Sequence, residues 1–279
     1  MPLPVSFPFP TMEARLVSEI PRGAGWQYEP KWDGFRCLAF RDRDEVTLQS
    51  KAGQPLTRYF PEVAASMREV AARRFVLDGE LVVPSDGTLS FDDLLMRIHP
   101  SARRVDLLSK ETPAVFIAFD LLVDARGRSL VHRPLAERRA ALEAFASEHF
   151  AARRGALLLS PATTRPDVAR KWLALSGADL DGLVAKRLDA PYTSEDRSAM
   201  AKVKKRRTAD CVVGGFRYAS AGRVVGSLLL GLYDRKGLLH HVGFTSGIPA
   251  AQRADLTRQL RAMVSPPGFT GRAPGGPSR

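Results

Sequence analysis

Apolar residues recur along this chain at two spacings, and each spacing predicts one kind of element. Alternation at every second residue, or a short apolar block, is typical of β-strands, whereas apolar residues three and four positions apart are typical of helices. Before residue 207 the strand pattern covers residues 26–30, 35–41, 46–50, 75–83, 114–122, 156–159 and 183–186. The helix pattern covers residues 59–73, 90–98, 135–150 and 166–175.

The pattern changes after residue 206. The predicted elements there are strands at 211–218, 224–233 and 238–244 and a helix at 249–264. Strands that follow one another through short turns, mixed with helices, favour an α+β fold with antiparallel sheets. We therefore expect one domain over residues 1–206 and a second, a small and incomplete β-barrel, over residues 207–279.

Composition narrows the class of protein. The chain has 279 residues, and its formal net charge of +12 is typical of proteins that bind polyanions, although an arginine-rich solvated surface is the simpler alternative. No apolar run approaches the roughly 20 residues of a membrane helix, so we expect no membrane contact. The cysteines, Cys37 and Cys211, lie in apolar segments typical of reduced thiols. We expect a cytoplasmic monomer.

The strongest chemical signal is the hexad Lys31-Trp32-Asp33-Gly34-Phe35-Arg36. A lysine that attacks a phosphorus atom needs a strand to carry it and cations nearby that activate it and bind the nucleotide. The Asp-Gly pair supplies a tight turn beside this lysine, and Arg36 supplies donors for ribose or phosphate oxygens. The alternative is an ordinary hairpin with scattered charges.

Acidic residues interrupt two of the predicted strands. Glu80 follows Asp78-Gly79 inside an apolar strand, where a carboxylate is costly unless something binds it. It would bind ribose hydroxyls or a metal-bound water, unless a bulge turns it to solvent. Asp181 begins a strand that Lys186 ends, and a bulge at Gly182 would aim both at one site. Asp181 would then bind Mg²⁺, and Lys186 would bind an α-phosphate.

Two further lysines and a phenylalanine are candidates for nucleotide contacts. Lys202 and Lys204 share one strand face, and two ammonium groups there repel each other unless an anion lies between them. Phe119 would stack on a purine at the edge of a site, with packing in the core as the alternative. The basic residues that follow fit a linker touching backbone phosphate: Lys205, Arg206 and Arg207.

These motifs, in this order, resemble those of the covalent lysine nucleotidyltransferases, and among them the bacterial ATP-dependent DNA ligases of the LigC type. The resemblance covers nearly the whole chain. It rests on residues 31–36, 78–80, 115–120, 181–186, 202–204 and 207–213. It implies an adenylation domain followed by an OB-fold, with ATP and Mg²⁺ or Mn²⁺ as cofactors and nicked double-stranded DNA as partner.

The resemblance also implies a role for each matching residue. Lys31 would form a phosphoramidate with AMP and release pyrophosphate. The AMP would pass to the 5′-phosphate of a nick, and the 3′-hydroxyl would then displace it. The remaining roles are adenine recognition by Glu29, partly through its backbone; ribose binding by Arg36 and Glu80; base stacking by Phe119; metal binding by Asp181 and Glu80; and α-phosphate binding by Lys186, Lys202 and Lys204.

The sequence departs from the family pattern in two places. The Ser-Arg-x-Gly element of the family reads Ser50-Lys51-Ala52-Gly53 here, and lysine lacks the bidentate fork of arginine. We expect Lys51, beside Ser50, still to contact the 5′-phosphate of the nick, but more loosely. The basic motif that ends the family's OB-fold is not found, so we expect slow self-adenylation from ATP.

Two other interpretations stay open on the sequence alone. An RNA ligase or a GTP-using capping enzyme would use the same lysine chemistry on another substrate. A nucleic-acid-binding protein that is impaired in self-adenylation would share the positive charge and the motif order.

Overall fold

The computed structural model of the chain describes residues 2–85, 87–150, 156–175, 180–194, 197–204, 208–220 and 222–274. Contacts divide the chain into two compact units, Met1–Arg206 and Arg207–Arg279. The strands of the described residues are β1 (Arg15–Val17), β2 (Trp26–Trp32), β3 (Phe35–Asp42), β4 (Glu45–Ser50), β5 (Arg74–Val82), β6 (Pro84–Ser85), β7 (Thr88–Leu89), β8 (Val115–Val123), β9 (Leu157–Leu159), β10 (Leu180–Arg187), β11 (Met200–Val203), β12 (Val212–Tyr218), β13 (Val225–Tyr233) and β14 (Leu239–Thr245). The helices are α1 (Pro61–Glu69), α2 (Phe91–Met96), α3 (Ala102–Glu111), α4 (Leu135–His149), α5 (Pro166–Leu175) and α6 (Arg253–Ala262), with 3₁₀ turns at Thr57–Tyr59 and Ala250–Gln252.

Two sheets form the centre of the first unit. The first sheet has the strand order β1-β11-β10-β2, and the second sheet has the order β4-β3-β5-β8-β9. Strands β2 and β3, which flank the Asp-Gly turn, belong to different sheets and do not form a hairpin. The turn carries the chain from one sheet to the other. It requires glycine, because a Cβ atom on Gly34 would lie 2.3 Å from the carbonyl oxygen of Leu81.

Apolar residues cover the outer face of each sheet. Helices α1 and α4 pack on the second sheet, where Met67 and Phe145 join the strand residue Phe116 in one buried cluster. Helix α5 packs on the first sheet, where Ala169 joins the fully buried Tyr28. Successive residues of a strand face opposite sides of the sheet. The alternate side chains of each strand therefore face the space between the two sheets.

The predicted mixed α+β fold is confirmed, and the predicted strands and helices lie in place with small shifts at their ends. Ser90 caps helix α2 as expected, because its Oγ atom accepts from the Asp93 N–H at 3.2 Å. The expectation of antiparallel sheets fails for two strand pairs, β1–β11 and β8–β9, which are parallel. Strand β1 and helix α3 lie where the pattern predicts no element.

The second unit, taken by itself, contains an antiparallel sheet with the order β12-β13-β14 and the helix α6. The Thr257 hydroxyl on α6 accepts from the Val225 N–H at 2.8 Å, which ties the helix to β13. The assignment of this unit as an OB-fold stays a prediction. Within the described ranges, no helix is long and apolar enough to cross a membrane. Cys37 is buried, Cys211 is half-buried, and both are free thiols.

Candidate active site

The inner face of the first sheet carries Lys31 and several other predicted residues. On β2, Lys31 and Glu29 line the space between the sheets, while Tyr28 lies in the core on the other side. The same alternation places Lys186 of β10 and Lys202 of β11 in that space. The two-residue period of a strand is enough to put these groups on one face.

The inner face of the second sheet supplies the residues opposite. Arg36 on β3 is the direct cross-strand partner of Glu80 on β5, so their side chains lie side by side. Phe119 is the residue left unpaired at one of the two shifts in the register of β8 against β5. A bulge of this kind redirects a side chain, and the Phe119 ring lies in the space between the sheets.

A cavity of about 610 Å³ occupies this space. Its volume is in the range of sites that bind small molecules and cofactors. The predicted site residues that line it are Glu29, Lys31, Arg36, Ser50, Lys51, Glu80, Phe119, Lys186 and Lys202. One cavity therefore brings together residues that the sequence separates widely.

Asp181 joins two of the predicted lysines. Its Oδ2 atom lies 2.6 Å from the Nζ atom of Lys31 and 2.6 Å from the Nζ atom of Lys204. The register of β10 against β2 shifts between Leu180 and Gly182, so the expected bulge is present and Asp181 is the extra residue. Burial raises the pKa of the Asp181 carboxyl, but the two ammonium groups outweigh burial and hold it below its usual value.

Lys202 lies among several other cations. Burial lowers the pKa of the Lys202 amine, and Lys204, Lys31 and Lys51 act in the same direction. In the described part of the chain no carboxylate pairs with Lys202 at ion-pair distance. An anion entering the cavity would relieve the repulsion among these amines.

Glu29 and Lys186 form a buried ion pair. The Lys186 Nζ atom donates to Glu29 Oε2 at 2.8 Å, and Gln27 Nε2 donates to Glu29 Oε1 at 2.8 Å. The same ammonium group lies 4.5 Å from the centre of the Phe119 ring and 3.5 Å from the Phe119 carbonyl oxygen. The sequence gives Glu29 and Lys186 separate roles, but in the structure they are paired with each other, and Lys186 contacts the Phe119 ring.

Arg36 is held by a carboxylate to which the sequence gives no role. Arg36 donates from Nε to Asp78 Oδ1 at 3.1 Å and from Nη2 to Asp78 Oδ2 at 2.7 Å. Burial lowers the pKa of the Arg36 guanidinium, but Asp78 outweighs burial and raises it. The guanidinium carbon also lies 5.5 Å from the centre of the Phe119 ring. Arg36 is therefore fixed against one side of the cavity.

Glu80 is a half-buried acid beside these charges. Burial raises the pKa of its carboxyl to about 8, although Lys31 and Arg36 act in the opposite direction. Among the residues with described positions, no hydrogen-bond partner is found for its carboxyl oxygens. This group is available to a ligand in the cavity.

The turn at residues 50–53 brings Ser50 and Lys51 to the edge of the cavity. The Lys51 Nζ atom lies 2.9 Å from Glu13 Oε1, and Glu13 Oε2 lies 2.5 Å from Arg197 Nη2. Lys51 is 55% exposed, so its ammonium group remains accessible to a large ligand. One acid thus bridges two cations here, as Asp181 does between Lys31 and Lys204. Neither Asp181 nor Lys204 is among the residues that line the cavity.

Sequence reasoning missed the residues that hold the predicted side chains in place. Asp78 alone had a signal, since a carboxylate in an apolar strand is unusual. Gln27 lies only two residues from its partner Glu29 but has no signal of its own. The others also lack a signal and lie far from their partners in sequence: Glu13, Tyr192 and Arg197. The predicted DNA contacts Lys205, Arg206 and Arg207 lie outside the described residues.

Comparison with known proteins decides the family. Residues 12–204 match the ATP dependent DNA ligase domain. The chain belongs to this ligase family. The predicted resemblance to the ATP-dependent DNA ligases of the LigC type is confirmed by 43–46% identity to three mycobacterial DNA ligase C proteins.

The chain is also similar to individual DNA ligases. It is 46% identical over 267 residues to DNA ligase C2 of Mycolicibacterium smegmatis, a match that covers 95% of this chain and 73% of that protein. It is 44% identical to DNA ligase C of Mycobacterium tuberculosis, with 95% and 74% covered. Among solved structures, mycobacterial DNA ligase D complexed with ATP and MES is 27% identical, with a TM-score of 0.55 and with 94% of this chain and 82% of that chain covered.

Proposed function

We propose that Lys31 attacks the α-phosphorus of ATP and that the resulting lysyl-AMP serves to seal nicks in double-stranded DNA. A P–N bond forms at the Nζ atom, the bond between the α-phosphorus and the bridging oxygen breaks, and pyrophosphate leaves. The proton of the amine passes to solvent. Asp181, at 2.6 Å from the amine, holds and aims it. The observation that supports this most is an amine on a rigid strand, surrounded by cations, within one cavity of about 610 Å³.

Each of the two later steps forms one bond to phosphorus and breaks another. An oxygen of the 5′-phosphate attacks the phosphorus of lysyl-AMP, the P–N bond breaks, and the Lys31 amine is released with a proton taken from solvent. The 3′-hydroxyl then attacks the adenylated 5′-phosphate and loses its proton to solvent. A phosphodiester bond forms, the bond from the 5′-phosphorus to the bridging oxygen breaks, and AMP leaves. Phosphoryl transfers of this kind depend mainly on positioning and on neutralising charge, which the cations of the cavity provide.

The nucleotide would lie between the two sheets. We assign the base to the Phe119 ring and to Glu29, and the ribose to Arg36 and Glu80. An ammonium group has three donors, and Glu29 and the Phe119 carbonyl take two from Lys186, which leaves one for the α-phosphate. Lys202 and Lys204 complete the α-phosphate site, and their mutual repulsion favours an anion between them.

A divalent cation fits this cavity only together with the nucleotide. Mg²⁺ usually takes one or two carboxylates plus phosphate oxygens and waters. In the described ranges no group of three or more His, Cys, Asp or Glu side chains would hold a metal. Asp181 and Glu80, both beside Lys31, would hold Mg²⁺ or Mn²⁺ with phosphate oxygens of ATP. The ion would neutralise charge on the phosphates.

Two DNA contacts are proposed, of which the first lies at the edge of the cavity. Lys51, beside Ser50, would contact the 5′-phosphate of the nick, and the basic residues 205–207 would contact backbone phosphates. Contacts of this kind give affinity without sequence preference and weaken with salt. The second unit is proposed to be the OB-fold of the ligase.

The test of the nucleophile is transfer of label from ATP. Protein incubated with ATP labelled at the α-phosphate and with Mg²⁺ should become labelled, and Lys31→Ala should reduce the label to background. Lys110→Ala is the matched control, since Lys110 lies exposed on α3, paired with Asp106 at 2.8 Å. It should be labelled like the parent.

A second substrate separates the first step from the later ones. Lys31→Ala should still seal a nick whose 5′-phosphate already carries AMP, because that step needs no lysyl-AMP. Persistent labelling of Lys31→Ala would overturn the assignment of the nucleophile, whatever the result with the pre-adenylated nick.

A further inference from the structure

Arg36 has few donors left for a ligand. A guanidinium group carries five N–H donors and no acceptor. In the described residues Asp78 takes one from Nε and one from Nη2, the Met12 carbonyl oxygen takes one from Nη1 at 2.5 Å, and the Tyr192 hydroxyl takes one from Nη2 at 3.4 Å. One Nη1–H remains. The direction of this donor is set entirely by the groups that hold the other four.

The Tyr192 hydroxyl closes this arrangement. It donates to Asp78 Oδ2 at 2.7 Å, so the same oxygen accepts from both Tyr192 and Arg36. Asp78 is fully buried and cannot exchange these partners for water. Burial, with Asp78 adding to it, raises the pKa of Tyr192 well above its usual value, so the phenol stays a donor. The carboxylate of Asp78 is therefore fixed by donors on both sides.

The Tyr192 side chain is itself rigidly placed. It is 4% exposed, and the Arg138 guanidinium carbon lies 5.7 Å from the centre of its ring. Its backbone N–H donates to the Val131 carbonyl oxygen at 2.8 Å. Tyr192 lies in the connection between β10 and β11 of the first sheet, whereas Asp78 and Arg36 lie on the second sheet. The contact thus ties the two sides of the cavity together.

We propose that Tyr192 is a positioning residue for nucleotide binding, which acts on Arg36 through Asp78. The inference rests on the proposed contact of Arg36 with the ribose of ATP. Neither Tyr192 nor Asp78 lines the cavity, so neither touches the nucleotide. Without the hydroxyl, Asp78 would lose one of its fixed donors and Arg36 one of its four acceptors, so the remaining Arg36 donor would be held less firmly.

The test compares two tyrosines that each lose one buried hydroxyl. Tyr192→Phe removes the donor to Asp78. Tyr28→Phe is the matched control, because Tyr28 is fully buried and its hydroxyl donates to the Pro21 carbonyl oxygen at 2.8 Å, on the outer face of the first sheet. The measurement is the single-turnover rate of lysyl-AMP formation as a function of ATP concentration, with the melting temperature of each variant.

Tyr192→Phe should raise the half-saturating ATP concentration about tenfold, with little change in the maximal rate, because the ribose contact is distant from the reacting phosphorus. Tyr28→Phe should lower the melting temperature without changing the half-saturating concentration. In an Arg36→Lys background, where the fork is already lost, Tyr192→Phe should add little further effect.

Two other results would contradict the inference in different ways. If Tyr192→Phe behaves like Tyr28→Phe, or if its effect is unchanged in the Arg36→Lys background, the positioning role is wrong while the proposed function stands. If Arg36→Lys alone leaves the half-saturating ATP concentration unchanged, the assignment of Arg36 fails and the inference fails with it. Labelling of Lys31 reports separately on the proposed chemistry.

Discussion

Glu80 combines burial with charges of both signs, and its protonation has a consequence for stability. The native carboxyl has a pKa of about 8, against an ordinary value of 4.5. Between these two values the folded protein keeps a proton that the unfolded chain has lost. The unfolded state binds fewer protons, so this group lowers the free energy of unfolding as pH rises through that window.

Glu80→Gln should remove this pH dependence, since the amide stays neutral. The free energy of unfolding of the variant minus that of the parent should increase by about 1–3 kcal/mol from about pH 5 to about pH 8.5. Urea unfolding at several pH values measures it. Glu45→Gln, at an exposed position of β4, is the control and should show no such trend. A constant difference for Glu80→Gln would contradict the raised pKa.

At the residue scale, the sequence predicts which side chains face the cavity better than it predicts their partners. The two-residue period of β2 is enough to place Glu29 and Lys31 on one face. The pairing of Glu29 with Lys186 joins residues 157 positions apart, and it depends on the register between β2 and β10. Register is a tertiary property that one strand does not encode. The chemical roles of these residues stay predictions.

At the element scale, the bulge at the start of β10 brings Asp181 to Lys31. Gly182 has a φ of +144°, and a Cβ atom there would lie 2.0 Å from the Val203 carbonyl oxygen. Both the backbone conformation and the close approach to β11 require glycine. Any larger residue has to move β10 away from β11, and Asp181 away from the two lysines.

Gly182→Ala should therefore cost both stability and adenylation. Gly23 is the matched control, because its φ is +99° and a Cβ atom there would have no neighbouring atom within 4 Å. Gly23→Ala measures the cost of the backbone conformation alone, about 1–2 kcal/mol. Gly182→Ala should lose at least about 2 kcal/mol more in urea unfolding. Equal losses for the two variants would show that β10 can relax without cost.

The elements differ in how much of them the sequence predicts. Helix α5 begins where its pattern predicts, because Pro166 fits the first helical position. Helix α3 escapes prediction because few apolar residues mark its buried face, although Ser101 caps it by accepting from the Arg104 N–H. Strand β1, at Arg15–Val17, is too short to show a period.

At the scale of the whole molecule, the active site depends on two sheets brought face to face. The Asp-Gly turn sends β2 into one sheet and β3 into the other, which sets Lys31 and Arg36 on opposite sides of the cavity. The sequence predicts a turn there but not that it changes sheet. Net charge, in contrast, is a whole-molecule property that can be read directly from the sequence. It favours a polyanionic partner but cannot say which of 42 basic residues meet it.

A pair of charge-matched variants tests which surface meets the DNA. Lys51→Ala and Lys110→Ala each lower the net charge by one, but Lys51 lies at the edge of the cavity and Lys110 on α3. A lysine that neutralises one phosphate contributes about 0.9 to the slope of log affinity against log salt. Fluorescence anisotropy with a nicked duplex, repeated across salt concentrations, should therefore show a shallower slope, by about 0.9, for Lys51→Ala alone. Equal slopes for the two variants would mean that DNA affinity depends only on the total charge of the protein and that Lys51 makes no phosphate contact.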